Sequence, residues 1–149
     1  MKNWKTTILA AVLAAHTVPG LAAAATHASL YERLGGMPAI RAVVDDLVTR
    51  ILGDDRVNRW FAHAASDPAD AAAYKRNLAD FLCQSTGGPC QYTGPGMVAA
   101  HQGRGVTSEA FNAVVEDLVA TLDKLKVPEK EKSDLLGILG PMKTAVVQQ

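Results

Sequence analysis

Met97-Val98-Ala99-Ala100-His101-Gln102-Gly103-Arg104-Gly105 is the stretch on which the reading of this chain turns. Apolar or small residues precede His101 for a full helical turn, and a glycine-broken loop follows it. A neutral imidazole in that setting can bind a metal or a haem iron. The second histidine or the cysteine pair that zinc asks for is missing nearby, so the isolation of His101 suits a single axial ligand. The alternative for a lone histidine is a satisfied core or surface side chain, and the surrounding sequence has to decide between the two.

Outward from His101, hydrophobic periodicity predicts helix nearly throughout. Across 38–52 the residues Ile40, Val43, Val44, Leu47, Val48, Ile51 and Leu52 repeat at three and four. They form one broad stripe, with Arg41, Asp45, Asp46 and Arg50 opposite. Gly35-Gly36 makes a sharp corner before it. A second helix is expected over 68–85, with Tyr74, Leu78, Phe81, Leu82 and Ser85 on one side, stopped by Gly87-Gly88-Pro89. A third starts at Thr107 or Ser108, either of which can cap, and runs to 126 on Phe111, Val114, Val115, Leu118, Val119, Leu122 and Leu125. The last spans 128–147 and should be kinked or interrupted at Gly140-Pro141. No stretch alternates at period two, and no internal repeat or glycine-rich phosphate loop is present.

The start of the chain follows a different logic. Lys2 and Lys5 precede an apolar run from Ile8 to Ala15, then Pro19-Gly20 and an alanine cluster. This is the layout of a secretory signal peptide, too short in its apolar part to stay as a membrane span, with Ala23 to Ala25 offering an Ala-x-Ala cleavage site. Residues 1–25 are therefore expected to be a leader and 26–149 one domain, with no stable membrane insertion once the leader is removed and a periplasmic destination. Roughly 120 residues suffice for one core and not for two. His16 belongs to the leader, and His27 lies at its edge.

Fifteen basic side chains balance fifteen acidic ones. No electrostatic footprint for nucleic acid or an anionic membrane results, which points to a small-molecule partner. The two cysteines, Cys83 and Cys90, stand seven apart. That spacing fits neither a Cys-x-x-Cys redox motif nor the Cys-x-x-Cys-His that attaches haem covalently. An exported chain allows a disulfide between them, while the alternative is two reduced thiols.

Taken in order, several segments resemble one known family, the group I truncated haemoglobins. They are Leu30-Tyr31-Glu32-Arg33-Leu34-Gly35-Gly36, Val43-Val44-Asp45-Asp46-Leu47, Asp54-Asp55-Arg56-Val57, Trp60-Phe61, Gly87-Gly88-Pro89 with Tyr92-Thr93-Gly94, and His101-Gln102-Gly103-Arg104-Gly105-Val106-Thr107. The resemblance covers nearly all of the expected domain. It implies an all-α two-over-two helical sandwich around haem b (iron protoporphyrin IX), with His101 as the proximal iron ligand. Its other ring nitrogen would donate to a nearby carbonyl and so fix the tautomer.

By the same resemblance Phe61 is the aromatic that packs on the porphyrin, with Trp60 beside it. That role is close to ordinary core packing, because haem is mostly an apolar plate. The chain departs from the better-known pattern at Val48, where the family often places a tyrosine that donates to iron-bound oxygen; a valine cannot donate. Tyr74 is the replacement donor, or else a core tyrosine whose hydroxyl reaches solvent. Leu78, one turn later, would form an apolar wall. Lys75 and Arg104 could meet the haem propionates or simply be solvated. His63, in a polar alanine-rich segment, is expected to be solvated.

The function implied is binding of oxygen, nitric oxide or carbon monoxide at an open sixth position, with nitric oxide detoxification as the associated chemistry. No flavin or nicotinamide motif is present, so that chemistry needs a separate electron donor. The competing class is a non-catalytic periplasmic haem carrier, sensor or electron-transfer module on the same scaffold.

Overall fold

The computed structural model describes residues 28–147, and these form helices and turns without strands. The expected leader, with His16 and His27, lies outside the described residues. Ser29 opens α1 (Leu30–Leu34) with a capping box: its side chain accepts from Glu32 N, and the Glu32 carboxylate accepts from Ser29 N at 2.8 Å. Gly35 and Gly36 then take φ of 102° and 71°, a region that L side chains avoid, and the chain turns at once into α2 (Gly36–Gly53).

The predicted stripe of α2 is the centre of the core. Ile40, Val43, Val44, Leu47, Val48 and Ile51 are all buried. A 3-10 turn (Asn58–Phe61) follows, and then α3 (Pro68–Ser85) at the predicted bounds. Asp67 caps α3 by accepting from Ala69 N at 2.6 Å and Asp70 N at 2.9 Å, and Pro68 sits where its missing N–H costs nothing.

His101 closes the short α4 (Met97–His101). α5 (Ser108–Lys124) is capped by Thr107, whose side chain accepts from Ala110 N at 3.2 Å. The predicted last helix is divided as its Gly140-Pro141 step requires, into α6 (Glu129–Leu139), a 3-10 turn (Gly140–Met142) and α7 (Lys143–Val146).

α2 packs on α3 and on α5, α1 on α2 and α6, and α4 and α5 on α7. Two polar ties fix this frame. Asp46 of α2 accepts from Arg50 Nε at 2.8 Å, from Thr121 Oγ1 at 2.9 Å and from the Lys124 ammonium, joining α2 to α5. Arg33 of α1 reaches Glu131 at 3.1 Å and Asp134 on α6. Among the described residues no helix is long and apolar enough to cross a membrane.

α3 corrects one detail of the sequence reading. Its apolar residues were expected on a single side, yet Ala79, Leu82 and Cys83 are buried while Tyr74, Leu78 and Phe81 are only half-buried. The helix therefore has two apolar faces, one sunk in the protein core and an adjacent one left partly open.

Candidate functional site

That second face of α3 belongs to a group of side chains with the same property. Trp60 and Phe61 in the 3-10 turn, Tyr74, Leu78 and Phe81 on α3, Met97 on α4 and Phe111 on α5 all pack against the core while remaining half-exposed. No residue of α4 or of the 58–61 turn is fully buried. Five aromatic side chains, Trp60, Phe61, Tyr74, Phe81 and Phe111, are in this group, while Tyr31, also half-buried against the core, stands apart on α1. An apolar edge of this kind calls for an apolar partner.

Direct contacts tie these elements to the loops on either side of the His101 helix. The His101 Nδ1 lies 2.7 Å from Met97 O, one turn back on its own helix. A proton on Nδ1 makes that contact a hydrogen bond and leaves Nε2 with its lone pair free, the form in which imidazole binds a metal. Trp60 Nε1 donates to Arg104 O at 3.0 Å, three residues past His101. The next residue, Phe61, meets the Tyr74 ring edge-on, with centroids 5.7 Å apart. The pair Trp60-Phe61 thus links the loop after the histidine helix to α3. Phe81 on α3 meets Tyr92 edge-on at 5.4 Å in the loop before that helix.

The Tyr74 hydroxyl is pushed up to about 12, first by burial and then by Tyr92, with Arg104 opposing. It stays protonated, and so a donor, at any neutral pH. Val48 is only 2% exposed, inside the core cluster against which Tyr74, Leu78 and Phe61 rest. It offers bulk and no polar atom.

Lys75 is committed to Asp45 at 2.9 Å, whereas Arg104 is exposed. His63 is exposed and lies 3.5 Å from Asp70. Among the described residues no group of three or more His, Cys, Asp or Glu gathers as a metal cage.

Phe81, Met97, Phe111 and Tyr92 were not singled out from the sequence. Phe81 was legible as part of the α3 stripe, but a helical stripe does not distinguish protein core from an open apolar face. Cys83 and Cys90 are joined, with Cα atoms 5.8 Å apart, which settles the choice the sequence left open. A separate hollow of about 190 Å³ lies among Leu34, Ile40, Val43, Leu82, Leu125 and Leu135. None of its lining residues belongs to the site.

A family model described as bacterial-like globin matches residues 29–148. The chain belongs to that family. Within it the chain is a group 1 truncated haemoglobin, being 36% identical over 116 residues to the protein of that name from Synechocystis, covering 75% of this chain and 90% of the relative. It is 33% identical over 115 residues to the one from Mycolicibacterium paratuberculosis, covering 77% and 81%. The truncated hemoglobin of Tetrahymena pyriformis superposes with a TM-score of 0.74 at 29% identity, over 82% of this chain and all of that one. The 2/2 hemoglobin of a Synechococcus strain, crystallised with covalently attached heme, gives 0.73 at 34% over the same share of this chain. The fold of this globin is accordingly the all-α truncated one of the 2/2 haemoglobins, and the family implies a haem.

The open apolar face suits such a group. It has aromatic rings and aliphatic side chains for a flat plate and one imidazole for its iron, with the second imidazole nitrogen already engaged.

Proposed function

We propose that this globin binds haem b, with His101 Nε2 as the proximal ligand, Phe61, Trp60 and Leu78 against the porphyrin and Tyr74 on the opposite side, and that its ligand is a diatomic gas. The observation that carries the reading is the 2.7 Å contact from His101 Nδ1 to Met97 O, which orients the ring and frees Nε2. Haem, when bound, supplies the iron with a sixth position open to oxygen, nitric oxide or carbon monoxide.

The chain's own residues do the rest. His101 would hold the iron through Nε2. Phe61, Phe81 and Phe111 keep the site apolar and exclude water. Tyr74, neutral and half-buried, presents a hydroxyl that donates to a ligand carrying partial negative charge. Val48 adds no second donor from α2, so the polar grip on the ligand rests on α3.

Nitric oxide detoxification extends the same reading. One nitric oxide, one oxygen and one electron make one nitrate, and the electron has to come from a separate reductase because the chain has no flavin or nicotinamide motif. Lys2, Lys5 and the apolar run after them support a periplasmic setting.

The test is titration of residues 26–149 with haemin, followed by reduction and addition of carbon monoxide. Stoichiometric uptake, a five-coordinate ferrous spectrum and a carbon monoxide adduct are expected, all lost in His101→Ala. A six-coordinate ferrous form would instead indicate an internal sixth ligand and an electron-transfer role. Full ligand binding with no nitric oxide turnover, even with a reductase supplied, would leave a carrier or sensor.

A further inference from the structure

The chain passes from the Tyr74 helix to the His101 helix through residues 86–96, which contain no helix or strand. This segment is held by a few ties. Cys83, in the last turn of α3 and without exposed surface, is bonded to Cys90 in the middle of the loop. Gln84 Oε1 accepts from Tyr92 N at 2.8 Å. The Tyr92 ring rests on Phe81, and its hydroxyl donates to Pro95 O at 3.0 Å, one residue before the Gly96 cap of α4.

The loop is closed tightly around these groups. A Cβ at Gly88 would come within 2.6 Å of Cys83 Sγ, and one at Gly94 within 2.3 Å of the Tyr92 oxygen. α4 itself has five residues, none of them fully buried. A helix that short has little stability of its own, so its place is set by its packing on α7 and by what is attached to its ends. Beyond His101 the attachment is the Trp60 to Arg104 hydrogen bond. Before it stand the disulfide and the Tyr92 strut.

The end of α3 has independent support. Thr86 is buried and its hydroxyl donates to Leu82 O at 2.7 Å, Tyr31 N donates to Thr86 O at 2.8 Å, and Gly88 N donates to Cys83 O at 2.8 Å. Opening the disulfide therefore removes the covalent tie on the loop leading to α4, which keeps only its contacts through Tyr92, and leaves α3 anchored.

We propose that the Cys83–Cys90 disulfide is a reducible latch on His101: closed, it holds the loop that leads into the histidine helix to the end of α3, and opened, it lets that helix loosen and haem leave faster. The inference rests on the haem reading above. The opening step is thiol–disulfide exchange with a dithiol. A thiolate of the reductant attacks the half-buried Cys90 sulfur, the Cys83–Cys90 bond breaks, and Cys83 leaves as a thiolate that takes up a proton. The reductant's second thiol then displaces Cys90 and closes the reductant's own disulfide. Two electrons and two protons pass to the chain.

The experiment compares ferric holoprotein in two states, oxidised, and reduced with a dithiol and desalted under argon. Haem transfer to a large excess of an apoglobin acceptor is followed in each. Reduction is expected to speed transfer about tenfold, within what closing a short loop contributes. Amide exchange should rise in residues 87–105 and stay unchanged in α2 and α5. Cys90→Ser should behave as the reduced chain does, and Tyr92→Phe in the oxidised chain should shift transfer the same way by less.

Equal transfer rates in the two states overturn the latch. So does exchange that rises equally in α2 and α5, because the disulfide would then be a general staple. A chain that takes up no haem in either state contradicts the haem reading itself, a result distinct from uptake with equal rates.

Discussion

In the haem pocket proposed above, Tyr74 would supply a single phenol from α3 and Val48 a hydrocarbon from α2. A hydrogen bond to a partly charged ligand is worth about 1.5–3 kcal/mol, so Tyr74→Phe should speed oxygen release roughly 10- to 100-fold in stopped-flow displacement by carbon monoxide. An unchanged rate would mean that the hydroxyl does not reach the ligand. The same phenol makes a second prediction for the chain without haem. Its folded value lies near 12, above the ordinary value of 10, so the fold holds a proton that the unfolded chain gives up first. The stability this confers is complete below pH 10 and is lost as pH rises towards 12. Chemical denaturation across that window should show a fall in wild type that Tyr74→Phe lacks. Phe61→Ala should cost both haem retention and about 1–3 kcal/mol of stability, less than the ~3–5 kcal/mol usual for such truncations because the ring is only half-buried.

At the scale of the helices, the join between α2 and α5 contains two carboxylates in opposite circumstances. Asp46 is held well below the usual carboxylate range, first by Lys124 and then by Arg50, with Thr121 adding a hydrogen bond. A carboxylate depressed in the fold stabilises above its unfolded value, and the effect disappears as pH falls from about 4. Asp46→Asn should therefore lower the unfolding free energy by about 1–2 kcal/mol at pH 7, with the two chains converging in acid.

Asp117 on α5 is pushed up by burial and by Asp54, and its Oδ2 is buried without a hydrogen-bond partner. The helices themselves were legible because each long one carries its stripe between clear signals: Asp67-Pro68 opens α3, Thr107 opens α5, and Gly140-Pro141 breaks the last. The 58–61 turn and α4 were not legible as elements. Their apolar residues face a surface outside the protein core, and a periodicity argument needs more than one turn to act on. His101 stood out by chemistry instead, through its isolation and the glycines after it. The disulfide could not be decided from spacing, because it depends on the loop bringing Cys90 back to α3.

Across the whole molecule, one apolar face of α3, the 58–61 turn and α4 are arranged as a core with its central piece supplied from outside. A group that binds the folded chain and not the unfolded one stabilises it by mass action. Haem addition should thus raise the thermal midpoint, with the largest gain in amide protection in residues 58–61 and 97–105. Protection spread evenly over α2 and α5 would speak against a plate lying at this face. The haem reading depends on a single bond, from His101 Nε2 to iron, and chemical rescue tests that bond. His101→Gly is loaded with haem, reduced, and its low-frequency resonance Raman spectrum is recorded with and without added imidazole. Wild type should show an iron–histidine stretch, His101→Gly should lack it, and a comparable iron–imidazole band should appear when imidazole fills the space. An iron–histidine stretch that persists in His101→Gly would contradict the assignment of His101, because another residue would then hold the iron.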